Sequence, residues 1–210
     1  ARYARDVAIA IENARLYERE RRHAALLARL HDVNHELQTE PRQRSEDELL
    51  CEIAHAAQQV LDAGIVMLYP LDRRSGQLGA PIVAGSIEGH GSLAPPNEPG
   101  NIVHHIFENR VAYYQSDVQH DPLLVGTASE PTHSGRHKSP AYRTFAMRQN
   151  VRSFAGVPLL ARGELLGVLS VNYHERNQFS PHERRAIALF AQTAATAIAA
   201  GQLVRDQERR

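Results

Sequence analysis

The segment SFAGVPLLARGELLGVLSV, residues 153–171, decides the fold of this chain. Two apolar runs, each long enough for a strand, flank a short turn sequence, so the segment predicts an antiparallel hairpin. Gly163 supplies the left-handed backbone conformation that a tight turn needs. Gly167 predicts a point of close packing inside the second strand. That strand carries apolar side chains for both of its faces, which predicts a central position in a sheet; they are Leu166, Val168, Leu169 and Val171.

Turn residues and hydrophobic periodicity place the other elements around this hairpin. The N-cap Ser45, in a capping box with Glu48, begins a helix that Gly64 ends. A second N-cap, Ser180, precedes Pro181 and begins the last long helix. We predict strands at residues 65–69, 81–84, 111–115, 153–160 and 164–173, and helices at 46–63, 101–109, 142–149 and 181–207. Strands between two long helices predict an α+β domain on a mainly antiparallel sheet.

The first 38 residues contain no Gly or Pro and predict one continuous helix. Its second half carries a heptad pattern typical of a coiled coil, in which two copies of the chain would meet. The alternative is a helix that packs on its own domain, because an apolar stripe does not identify its partner. The residues predicted to form the dimer seam are Leu16, His23, Leu26, Leu30, Val33 and Leu37.

The chain divides into three predicted parts: a linker or signalling helix at 1–40, a domain at 41–204, and the start of a further linker at 205–210. Both end helices are alanine-rich and share several identities at a constant offset. We therefore interpret the first part as the final helix of a preceding, similar domain, with chance similarity as the alternative. Because the chain begins with Ala1, we expect it to be a piece of a longer protein.

Charge and cysteine content argue against several classes of protein. The 24 basic and 24 acidic residues give a formal net charge of zero, whereas nucleic-acid-binding domains usually carry a basic excess. Cys51 is the only cysteine, so an internal disulfide or a cysteine-based zinc cluster is excluded, as is usual in the cytoplasm. We interpret Cys51 as a small buried hydrophobic residue. Residues 186–204 are uncharged but too alanine-rich for a membrane span, and they predict a buried or dimer-facing helix.

The 153–171 segment, followed by FSPHE at 179–183 and the alanine-rich helix, resembles the GAF domain family. The similarity runs over about residues 46–204, and the spacing of Gly163 and Gly167 is among its most specific parts, together with Val157-Pro158-Leu159. The resemblance implies a six-stranded, mainly antiparallel sheet with helices on one face and a small-molecule pocket on the other, under loops and short helices. It also implies dimers through the terminal helices and a regulatory role ahead of kinase, cyclase, phosphodiesterase or transcription-activating modules.

The motifs of particular GAF classes match only in part. Members that bind cyclic nucleotides carry Asn-Lys, then Phe, then Asp-Glu. Asn172 and Phe179 fit that pattern, but Tyr173 replaces the lysine and Glu183-Arg184 replaces the acidic pair, which argues against cyclic nucleotides. Bilin-binding and methionine-sulfoxide-reductase relatives need cysteines in the pocket region, and Cys51 on the first domain helix does not supply one there.

Histidines and aromatic residues border the expected pocket. No zinc-type set of histidines with carboxylates occurs, so we assign no metal ligands, and a haem held by a single histidine stays an alternative. Neither a Gly-x-Ser-x-Gly elbow nor a phosphate-binding glycine loop is present, so we predict no catalytic residue. The candidate pocket residues are His104, His105, Tyr114, Tyr142, Phe145 and Phe154.

These observations predict a non-catalytic sensory or regulatory domain of a cytoplasmic signal-transduction protein. It would form a homodimer and bind a small ligand that the sequence does not identify, with no cofactor assigned and no contact with nucleic acid or membrane. Two alternatives remain: a structural dimerisation domain without a ligand, and a haem- or metal-binding sensor.

Overall fold

The computed structural model of the chain describes residues 28, 45–87, 96–98, 101–121 and 141–208. The helices are α1 (Glu46–Val60), α2 (Ile102–Asn109), α3 (Ala141–Arg148) and α4 (Pro181–Glu208), with one 3-10 turn at Val118–His120. The strands are β1 (Ile65–Asp72), β2 (Gln77–Leu78), β3 (Ile82–Ala84), β4 (Tyr113–Gln115), β5 (Ser153–Ala161) and β6 (Glu164–Tyr173). The predicted N-terminal helix, with all six seam residues, lies outside the described residues except for Ala28, which is helical.

The six strands form one antiparallel sheet in the order β2-β1-β6-β5-β4, with β3 pairing to β1 beside β2. β6 lies between β1 and β5, as its two apolar faces predicted. The predicted turn between β5 and β6 is confirmed, because Arg162 and Gly163 both have left-handed φ angles, of 51° and 83°. The two-residue strand β2 was not predicted, since so short a run carries no periodicity.

The close-packing role predicted for Gly167 is also confirmed. A Cβ atom at this position would lie 2.3 Å from the carbonyl oxygen of Tyr69 in the neighbouring strand β1. The register of β5 and β6 shifts between Leu159 and Leu160, beside this glycine. As a result Leu166 and Leu169 point to one face of the sheet and Val168 points to the other.

The two long helices, α1 and α4, cover one face of the sheet. The predicted capping box is present: the backbone N–H of Glu48 donates to Ser45 Oγ at 3.2 Å, and the N–H of Ser45 donates to the Glu48 carboxylate at 2.8 Å. The core on this face is built from side chains of α1, α4 and the central strands, among them Leu50, Ile53, Val66, Leu68, Val157, Leu159, Ile187, Phe190 and Ile198.

Two predictions about α1 are wrong. The helix ends at Val60 rather than near residue 63, because Asp62 takes a left-handed φ of 50° that a helix cannot continue. Cys51 is exposed rather than buried. Leu50 and Ile53 point into the core, and the 100° rotation per residue turns Cys51 toward solvent.

Helix α4 is long and apolar enough over Pro181–Gln207 to cross a membrane by length and composition alone. Three of its large apolar residues pack instead on the sheet, where Ile187, Phe190 and Ile198 are almost completely buried. One side of the helix is therefore buried, which is one of the two predicted placements, and the dimer-facing placement stays a prediction. Leu189 and Leu203 remain outside that core, with exposed fractions of 41% and 57%.

Short helices cover the opposite face of the sheet. The α2 residues Ile102, Val103 and Ile106 pack on the sheet together with side chains of α3, and Asn101 caps α2 by accepting from the N–H of Val103 at 2.9 Å. The core on this face, which we call the second core, consists of Ile65, Met67, Tyr69, Leu78, Ile102, Val103, Ile106, Val118, Phe145, Ala146, Val151, Phe154 and Val168.

Candidate ligand-binding face

The second core contains two of the predicted pocket residues. Phe154 of β5 is completely buried, and Phe145 of α3 is almost so. The ring of Tyr113, on the neighbouring strand β4, lies 6.5 Å from the ring of Phe154 and packs against the edge of this core. Strand alternation explains the arrangement, since Tyr113 pairs with Gly156 and the side chain of Phe154 fills the space beside that glycine.

The two neighbouring histidines of α2 have different environments. His104 is mostly buried: its Nε2 lies 3.1 Å from the Glu108 carboxylate, and its ring stacks on Phe107 with centroids 6.3 Å apart. Its Nδ1 is buried and has no hydrogen-bond partner among the described residues. His105 is exposed, and its ring nitrogen faces the side-chain amide of Asn109 at 3.2 Å. Of the pair, only His104 lies at the margin of the second core.

Tyr114 lies on the other face of the sheet. Its ring packs 5.6 Å from the ring of Phe179, and the Arg184 guanidinium lies 4.9 Å from its centroid. The structure therefore does not bring Tyr114 together with Phe145 and Phe154. The backbone of Tyr142 lies in α3, but its side chain is outside the described part of the structure.

A buried polar cluster at this face was not predicted from the sequence. The carboxylate of Asp121 accepts hydrogen bonds from the hydroxyl of Tyr113 and from the side-chain amide of Gln115. Burial, together with the Asp121 carboxylate, raises the pKa of the Tyr113 hydroxyl, so this phenol stays a neutral donor. The signal was available in the alternation of Tyr113 and Gln115 on one face of β4, but nothing in the sequence placed Asp121 beside them.

A second polar cluster lies at the 3-10 turn, close to Asp121 in sequence. Asp117 forms an ion pair with Arg176 Nη2 at 2.7 Å, and its carboxylate is hydrogen-bonded to His120 Nδ1 at 2.9 Å. Desolvation opposes ionisation of Asp117, but the hydrogen bonds from His120 and the backbone of Gln119, with the charge of Arg176, outweigh it and lower its pKa. These contacts hold the 3-10 turn in place at the end of the described segment 101–121.

The residues at the cyclic-nucleotide motif positions, Asn172, Phe179 and Glu183, make structural contacts outside the second core. The amide of the buried Asn172 donates to the carbonyl of Ile65 at 3.2 Å, which ties β6 to β1. Phe179 has an unusual φ of 49° and packs against the rings of Tyr114 and Tyr173. Glu183 accepts from the backbone N–H of Ser180 at 2.7 Å and caps α4. The two matched residues, Asn172 and Phe179, and the unmatched Glu183 therefore all make contacts within the framework of the fold.

The face that carries the second core is the candidate binding site. It combines an apolar floor with a few polar groups at its edge, the composition typical of small-molecule pockets. Within the described residues, no three His, Cys, Asp or Glu side chains converge in the way that a metal ion requires.

Comparison with solved structures shows the same fold in a phosphotransferase, a chemotaxis protein and a reductase, among others. The GAF domain of an Acinetobacter phosphoenolpyruvate-protein phosphotransferase superposes with a TM-score of 0.59 at 18% identity, covering 84% of this chain and 94% of that one. A methyl-accepting chemotaxis protein fragment, residues 122 to 287, gives 0.59 at 24% identity, covering 81% and 97%. The free methionine-R-sulfoxide reductase of Neisseria meningitidis, in complex with its substrate, gives 0.62 at 17% identity, covering 86% and 92%.

Sequence comparison gives the family directly. No curated protein matches the chain. A family profile described as GAF domain matches residues 45–198, well over half of the chain and nearly the whole of the folded unit described above. The chain therefore belongs to the GAF domain family.

Proposed function

We propose that this chain is a non-catalytic sensory or regulatory domain of a cytoplasmic signal-transduction protein. A small ligand would bind at the second core, and the change would pass to the terminal helices of a homodimer. The observation that carries the proposal is the unequal covering of the sheet. Two long helices cover one face, whereas the other is covered by helices of eight residues each.

Short helices suit a site that responds to a ligand. A helix of two turns is marginal by itself in water and depends on its packing for stability. A ligand that adds packing beneath α2 or α3 would therefore shift the population of their conformations. Asp121, Tyr113 and Gln115 supply polar groups at the rim, and His104 lies at the margin of the same core.

Helix α4 supports the relay. Its 28 residues extend for about 42 Å at the usual helical rise, from the sheet to the end of the domain. Leu189, Thr196 and Leu203 are all exposed and recur every seven residues, so they form one stripe on the helix. We propose that this stripe meets its counterpart in a second copy of the chain, in line with the seam predicted for residues 16–37.

Native mass spectrometry of protein purified from cells without added cofactor tests the proposal. We expect a dimer that carries extra mass, and the value of that mass would name the ligand class, haem included. A dimer at the bare chain mass, unchanged after incubation with a cell extract of small molecules, contradicts ligand sensing. A bare monomer contradicts the relay through a dimer as well.

A structural dimerisation domain without a ligand is the second candidate. Phe145 and Phe154 favour it, because both side chains are buried in the second core and fill space that a ligand would need. Phe154→Ala distinguishes the two functions. If the protein senses a ligand, the variant loses the bound mass; if it is purely structural, the variant dimerises at a lower melting temperature and no bound mass is involved.

A further inference from the structure

The beginning of α1 and the last turns of α4 meet in one polar cluster, formed by Glu46, Gln202 and Arg205, which we call the terminal junction. The side-chain amide of Gln202 donates to the Glu46 carboxylate at 3.3 Å, and Arg205 Nη2 lies 3.6 Å from the same oxygen. The junction therefore connects two parts of the chain that are 156 residues apart. One is the first turn of the domain, and the other leads out of it.

Gly201 brings the two helices close together at the junction. A Cβ atom on Gly201 would lie 2.9 Å from Leu49 Cδ2 and 3.3 Å from Arg205 Nη1. The arginine side chain thus lies beside the glycine, and only 19% of it is exposed. This placement costs desolvation of the guanidinium, which the half-exposed Glu46 carboxylate offsets in part.

Two buried polar atoms of the junction have no hydrogen-bond partner in the part of the chain that the structure describes. They are Arg205 Nη2 and Gln202 Oε1. A polar network with unmet groups holds its elements less firmly than a fully satisfied one. A second and weaker tether lies next to it, because Arg73 of the β1–β2 turn faces Asp206 at 3.9 Å.

We propose that the terminal junction is a latch that ties the last two turns of α4 to the start of α1 and opens at low cost. Release of Glu46 then loosens the residues that follow Arg205. Only a role of the latch in signalling depends on the proposed function. Its opening and closing are properties of the fold and are measured without a ligand.

Hydrogen exchange on the full 210-residue chain tests the latch. Arg205→Met removes the charge and keeps most of the stem, and Arg185→Met removes an exposed arginine from the first turns of the same helix as a control. We expect Arg205→Met to raise exchange at the amides of residues 202–207 about three- to tenfold, with no change in β5 and β6. Glu46→Gln should raise exchange at the same amides, although it alters the other helix, and the double variant should add little to either single one.

The latch is overturned if Arg205→Met and Glu46→Gln leave these amides at the level of the Arg185→Met control. It is also overturned if Glu46→Gln changes exchange only within α1, since the two ends are then not coupled. If Arg205→Met does not fold, Glu46→Gln decides alone, because its carboxylate is half-exposed and its loss leaves the core intact. Absence of a bound ligand in native mass spectrometry contradicts the proposed function and leaves this measurement unaffected.

Discussion

Gly156 of β5 leaves the space that Ile106 of α2 occupies. A Cβ atom on Gly156 would lie 2.2 Å from Ile106 Cδ1 and 2.8 Å from Cζ of the Phe154 ring. This contact fixes how closely the short helix approaches the sheet, and it lies at the centre of the second core. The proposed ligand-binding face is therefore organised around a residue that has no side chain.

Gly156→Ala should destabilise the fold because Ile106 and Phe154 must both move. We expect a loss of about 1–3 kcal/mol in the free energy of unfolding, the usual cost of overpacking a core. Chemical denaturation measures it. Gly79→Ala is the control, because a Cβ atom there makes only ordinary contacts of 3.5 Å with Pro70. Equal stabilities of the two variants would show that α2 does not pack closely on Gly156.

Gly163→Ala and Gly167→Ala should differ in cost although both lie in one hairpin. At Gly163 only the left-handed φ of 83° is strained, since no atom lies within 4 Å of the added Cβ, and about 1 kcal/mol is expected. At Gly167 the added Cβ would collide with the backbone carbonyl of Tyr69, which cannot rotate away. We expect roughly 2–3 kcal/mol there by thermal or chemical unfolding. The reverse order would contradict the register of β1 and β6.

The fold should lose stability at alkaline pH. Burial raises the pKa of both Tyr69 and Tyr173 above the ordinary phenol value of 10.0, and the carboxylates of Glu183 and Asp62 add to the effect at Tyr173. A group whose pKa is raised by folding contributes its full stability below the unfolded pKa. That stability is lost as pH rises above about 10 towards the folded value.

Tyrosinate absorbance and melting temperature, followed together from pH 8 upwards, measure this effect. Tyr69→Phe should reduce the loss of melting temperature at alkaline pH. It should leave stability near neutral pH almost unchanged, because the only hydrogen bond described for its hydroxyl is a 3.5 Å contact with Met67 Sδ. A wild-type protein whose tyrosines all ionise near pH 10 without unfolding would contradict their burial.

Dimerisation should depend on the exposed stripe of α4. Leu189→Lys with Leu203→Lys places charges where two apolar side chains are partly or mostly exposed, so the folded monomer loses little. We expect at least a tenfold weaker dimer by analytical ultracentrifugation, with Val111→Lys, an exposed residue before β4, as the control. Deletion of residues 1–40 should weaken the dimer further. An unchanged dimer constant in both experiments would remove the proposed relay.

Local chemistry explains why much of the fold was predictable. Ser45 and Glu48 cap a helix with groups three residues apart, and Gly163 makes a turn by its own conformational freedom, so neither needs distant residues. Alternation and length identified β6 as a central strand in the same way. The exposure of Cys51 was predicted wrongly because it depends on how the helix is rotated against the sheet. The end of α1 was predicted wrongly because the left-handed φ of Asp62 ends the helix before Gly64.

The candidate site was less predictable because it is made of residues distant in the chain. Phe145 and Phe154 were recognised as pocket candidates, and the structure places both in the second core. Asp121 was missed, since its partners Tyr113 and Gln115 become its neighbours only when the 3-10 turn folds back on β4.

The two adjacent tyrosines of β4 show what the sequence determines by itself and what it does not. The extended conformation at residues 113–115 determined that Tyr113 and Tyr114 point to opposite faces, because side chains alternate along a strand. Which of them faces the second core and which faces α4 was decided only by the register with β5, in which Tyr113 pairs with Gly156 and Tyr114 with Ala155. Register is a contact between separate segments of the chain, and a shift of one residue would exchange the two faces.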